Sequence, residues 1–151
     1  MTRSRNVWRP TAALASAGAA AFWVVNFAIS LTPLAAEYRT ALSIAYTPML
    51  VEAAIGGLLI AVLVSWVLLR FPDRVPGRNP IVQSLLICLV VLLAVTALIE
   101  VPAKSLTSST DDPWRYFVIG AAFNALRILA LGVAVGYVWD RRTGSADPRA
   151  V

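Results

Sequence analysis

Asn124 and Arg127 stand three residues apart inside the apolar run 114–139, in the stretch FNALRILALG. A guanidinium brings five N–H donors and a permanent charge, and an amide beside it offers one acceptor and two donors. Among hydrocarbon such a pair needs company. On the insertion scale an arginine at mid-helix costs about 2.5–3.5 kcal/mol, while each Leu, Ile, Phe or Val returns about 0.3–0.6. Other polar residues also interrupt apolar stretches: Asn26, Ser30, Glu52, Thr96 and Glu100. A carboxylate could neutralise the guanidinium or carry a proton, and Asn or Thr could hydrogen-bond between helices. Ionisable residues in such surroundings mark ion or substrate paths by default. The candidate cluster is therefore Asn26, Glu52, Thr96, Glu100, Asn124 and Arg127. Glu52 is the expected partner of Arg127, with Glu100, nearer a helix end, as a second.

Four apolar segments must position these groups: 11–31, 48–69, 80–101 and 114–139. Each meets the length of about 20 residues that a membrane-crossing helix needs. Hydrophobic residues make up 59% of the 151-residue chain and charged residues 14%, which is too apolar for a soluble domain of this size to bury. The reading is an all-α, integral membrane four-helix bundle, a single transmembrane domain over 1–151 whose tail, 143–151, is expected to be disordered. Prolines punctuate the boundaries. Pro10, Pro48, Pro80 and Pro113 stand at starts, where a missing N–H costs little, and Pro33, Pro72 and Pro102 follow ends. A start of the second span near residue 40 would instead leave Pro48 as a kink.

Helical periodicity puts residues four apart on one face. Asn26 aligns with Ser30, Thr96 with Glu100, and Gly120, Asn124, Arg127 and Leu131 form one stripe. A second pattern, Ala53, Gly57, Ala61 and Ser65, is a row of small residues that lets helix backbones approach. Gly132 and Gly136, on the far side of the fourth span from Arg127, offer another such face, suited to a second copy or a different membrane protein.

The basic residues set an orientation. Arg3, Arg5, Arg9, Arg70, Arg74, Arg78, Arg141, Arg142 and Arg149 fall on one side of alternating spans, and only Arg39, Lys104 and Arg115 on the other. The positive-inside rule then places both termini in the cytoplasm and the protein in the inner or plasma membrane. Trp8, Trp66, Tyr137 and Trp139 mark the inner interface; Tyr38, Tyr46, Trp114 and Tyr116 mark the outer one. The first span, at about 20 apolar residues, is longer than a signal-peptide core and reads as retained.

Several classes drop out. The chain has no histidine and one cysteine, Cys88, so haem ligation, zinc ligation and an intrachain disulfide lack their usual residues. No phosphate loop or nucleophile elbow is present, and no soluble basic face suits nucleic acid. No cofactor and no metal is expected, and an enzyme acting on a lipid or quinone-like substrate ranks last. Two expectations remain. The first is an accessory or structural subunit that associates with itself or with another membrane protein in the lipid bilayer. The second is a small ion, proton or solute transporter or channel built on the Glu/Arg cluster.

Overall fold

The computed structural model describes residues 8–100 and 112–144, with the side chains of 99, 100 and 144 outside that description. Among the described residues five α-helices follow one another: α1 (Trp8–Ser30), α2 (Pro33–Ala41), α3 (Tyr46–Arg70), α4 (Pro80–Val95) and α5 (Pro113–Gly144). A 3₁₀ turn covers Pro72–Arg74 and a π-helical turn Thr96–Glu100. Four helices are long and apolar enough to cross a membrane, so the chain is a helical membrane bundle, as its composition requires. Of the basic residues that set the orientation, Arg3, Arg5, Lys104 and Arg149 lie outside the described residues. So does 145–151 of the expected tail; residues 143 and 144 belong to α5.

The proline signals act as local chemistry predicts. Pro80 opens α4 behind Asn79, whose side chain accepts from the Ile81 N–H at 2.8 Å. Pro113 opens α5 behind Asp112, whose carboxylate accepts from the Arg115 N–H at 3.1 Å. Both caps satisfy donors that a helix N-terminus otherwise orphans. Pro48 lies in the first turn of α3, so that helix starts at Tyr46 and carries no early kink. At the same end of the bundle as the α3 C-terminus, the Gln83 amide donates to the carbonyls of Pro72, Val75 and Gly77 and ties down the α3–α4 loop. Gly77, at φ +113°, supplies the left-handed conformation this turn needs.

Two features depart from expectation. The segment between the first two spans folds into α2, where Thr32 caps the helix by accepting from the Ala35 N–H at 3.2 Å and Pro33 fills the first position. Pro33, read in the sequence as following the end of the first span, therefore also opens a helix, as proline at a first helical position can. The third span does not continue as regular helix to 101. Its ladder widens from i−4 to i−5 pairing over Thr96–Glu100, so the fourfold spacing that would align Thr96 with Glu100 does not apply there.

Neighbouring helices run antiparallel, with α1 and α5 as the central pair, α3 against α1 and α4 against α5. The small residues are what permit the close approach, and they are spent inside the protein. A Cβ on Gly57 would lie 2.5 Å from the ring of Phe22 in α1, and one on Gly18 would lie 2.7 Å from Val135 in α5 and 3.3 Å from Ala61 in α3. Ala61 and Ser65 are fully buried. Gly132 meets Cys88, and Gly136 meets the backbone of Pro80 and Ile81. The Gly57 row thus joins α3 to α1, and the Gly132 and Gly136 face, expected to receive another protein, joins α5 to α4, because in lipid such packing is the main force holding helices together. Leu14, Val64, Leu68, Ile128, Leu131 and Val135 fill the core beside them.

Cys88 shares that core and is fully buried. A membrane-permeant maleimide is expected to leave it unmodified in mild detergent and to modify it once the bundle is unfolded. Equal rates in the two conditions would contradict its burial.

Candidate functional site

Arg127, on α5, is half-buried and turns back along its own helix toward the end that carries α2. Its Nε donates to the Phe123 carbonyl at 3.0 Å, Nη2 to Asn124 Oδ1 at 2.6 Å, and Nη1 to Asn26 Oδ1 at 2.7 Å. The first two are local, since residues three and four apart on a helix are neighbours. The third crosses to α1 and joins residues 101 apart in sequence. The guanidinium also lies 5.7 Å from the centre of the Phe22 ring, a cation–π contact that suits a charge removed from water.

Asn26 is 3% exposed. Arginine can only donate, so the bond from Arg127 fixes which end of the amide is oxygen. The other end, Nδ2, is buried with no hydrogen-bond partner. Asn26 also lines a cavity of about 170 Å³, together with the polar residues Ser30, Tyr38, Arg39 and Arg127 and the apolar residues Ile29, Ala35, Ile44, Met49 and Phe123. The α2 helix supplies the roof. Tyr38 fits over Gly120, where a Cβ would lie 2.7 Å from its hydroxyl, and meets Phe123 edge-on at 5.8 Å. Arg39 donates to the Ser30 carbonyl at 3.1 Å and lies over the Tyr46 ring at 4.9 Å. The Ser30 hydroxyl donates to the Phe27 carbonyl at 2.6 Å and stands 3.2 Å from the Tyr46 hydroxyl. At the rim Arg115 pairs with Glu37 at 2.7 Å; both are exposed, so the pair contributes little to stability.

The expected cluster comes together only in part. Asn26, Asn124 and Arg127 form one centre. Thr96 is half-buried and makes no hydrogen bond to it, and the side chain of Glu100 lies outside the described residues. Glu52 is a correction: it is exposed on the surface of α3 and does not pair with Arg127. The rotation of α3 gives the reason: Gly57, Ala61 and Ser65 turn inward toward α1, and at about 100° per residue Glu52 falls on the opposite side of the helix from them. Glu52→Gln is accordingly expected to change stability by less than about 0.5 kcal/mol and to add to any Arg127 substitution without coupling. A double-mutant cycle in detergent checks this, and a coupling above that size would restore the pairing.

Sequence reasoning missed Tyr38 and Arg39 as members of this site, because their placement depends on α2, and with them Tyr46, which opens α3 beneath Arg39. It also missed Ser84, which, like Ser65, is fully buried with an unpartnered hydroxyl toward the opposite end of the bundle. Among the described residues no three of His, Cys, Asp and Glu gather to hold a metal ion. The chemistry available at Arg127 is therefore hydrogen bonding and charge. No family model, no curated protein and no solved structure matches the chain.

Proposed function

We propose that this protein is a multi-pass accessory subunit of the cell membrane, both termini cytoplasmic, that works by holding other membrane components and not by turnover or conduction. One observation carries the reading. Between the Arg127 centre and the terminal end of the bundle, Leu14, Val64, Leu68, Leu131 and Val135 are fully buried and packed together, so among the described residues the interior of a single copy is mainly apolar there. The outer face of α3 supports a docking role. Val51, Ile55 and Leu59 are more than half exposed, and a Cβ on Gly56 would meet nothing within 4 Å. At the terminal end Trp8, Leu59, Val62, Leu63 and Trp66 border a shallow apolar groove between α1 and α3. Either surface suits a helix of a second copy or of another membrane protein.

Light scattering of the protein in mild detergent tests the reading: a stable complex, of copies or with a co-purified membrane protein, is expected. A clean monomer with no companion would sink it. A second reading, a transporter for a small anion, draws on the cavity between Arg39 and Arg127 and needs another conformation that opens the apolar seal. Reconstituted vesicles are expected to leak anions no faster than empty ones. A flux abolished by Arg127→Ala would replace the first reading with the second.

A further inference from the structure

The cavity at the α2 end plays no part in the accessory role, and its chemistry stands independently of that role. We infer that it is a binding site for a small organic monocarboxylate with an apolar body of about benzoate's size. The first observation is the lining itself: Asn26, Ser30, Tyr38, Arg39 and Arg127 bring polar groups to the cavity, and no Asp or Glu among the described residues lines it.

The second observation is Arg39. One of its five N–H donors serves the Ser30 carbonyl, and the Tyr46 ring holds the guanidinium plane. Four donors remain on a group already fixed in orientation, so little rotamer freedom is lost on binding. A planar carboxylate offers two acceptors matched to such a fork. Ile29, Ile44, Met49 and Phe123 line the same cavity, which favours a ligand with an apolar body over a bare inorganic anion. The volume agrees: a cavity of about 150 Å³ takes benzene, and this one is about 170 Å³. A soluble acid arriving from water and a fatty acid arriving from the bilayer share this head group.

The test uses the full chain in nanodiscs of zwitterionic lipid, titrated calorimetrically with sodium benzoate, benzyl alcohol and sodium phosphate, and in a parallel arm with discs doped with oleate. Saturable benzoate binding is expected, at least about tenfold tighter than benzyl alcohol, the difference that one bond to a charged group makes. Arg39→Gln, on the roof and outside the core, should weaken it by about tenfold or more, while Ser84→Ala at the opposite end leaves it unchanged. Binding of oleate without benzoate would overturn the small-ligand assignment and place the source of the head group in the bilayer. Equal affinity for benzoate and benzyl alcohol, preference for phosphate, no change in Arg39→Gln, or no saturable binding below about 10 mM, as for a cavity that holds water only, would overturn it.

Discussion

Replacing Gly136 with alanine is expected to destabilise the bundle by about 2–3 kcal/mol, the upper part of the range for overpacking a close-packed contact. The added methyl would sit 2.5 Å from the Ile81 Cα and 3.0 Å from the Pro80 carbonyl. Both obstacles are backbone, which cannot rotate aside as a side-chain tip can. They also lie in the first turn of α4, fixed by the Asn79 cap and by Gln83, whose amide binds three loop carbonyls. Relief therefore requires α4 to move away from α5 along its length, loosening Gly132 against Cys88 as well. Gly56→Ala provides the contrast. Nothing stands within 4 Å of its added carbon, and alanine's higher helix propensity should stabilise by up to about 1 kcal/mol. Thermal unfolding of the two variants in the same detergent separates them. Equal midpoints would mean that α4 and α5 do not approach as described.

Arg127→Leu is expected to cost about 1–3 kcal/mol even though it removes a charge from the membrane interior. The substitution leaves Asn26, buried between helices, with both ends of its amide unpartnered, and it takes the guanidinium donor from the Asn124 oxygen. An orphaned polar group is more costly than a pair replaced together by apolar side chains. The double variant Asn26→Leu/Arg127→Leu should therefore be more stable than the sum of the singles predicts, by about 0.6–1.7 kcal/mol, the span measured for hydrogen bonds between membrane helices. Arg127→Lys should not rescue, since a single ammonium cannot reproduce the fork that reaches two amides and a carbonyl. Titrated unfolding of the four proteins gives the cycle, and strict additivity would show that the α1–α5 link carries no energy.

These two positions also divide what the chain states from what it withholds. The four membrane helices are written in composition and length, because hydrocarbon accepts only segments that satisfy their own backbone, and the proline, Asn79 and Asp112 signals fix several ends to within a few residues. The need to shelter Arg127, and its local bonds to Asn124 and the Phe123 carbonyl, follow from helical spacing alone. The sequence could not show which carboxylate or amide on another helix would answer it. Asn26 and Glu52 are both polar residues in the outer halves of their spans, and separating them required the packing. Phe22 against Gly57 and Gly18 against Val135 set how α1 lies between α3 and α5, and that rotation buries Asn26 and leaves Glu52 at the surface. The small-residue rows were legible as contacts but not as internal ones, since close approach looks the same in sequence whether the neighbour is the same chain or another. The roof over the cavity belonged wholly to tertiary structure. Tyr38 and Arg39 read as residues of a polar connection until α2 folds across the bundle, because their partners, Gly120 and Ser30, lie on two different helices.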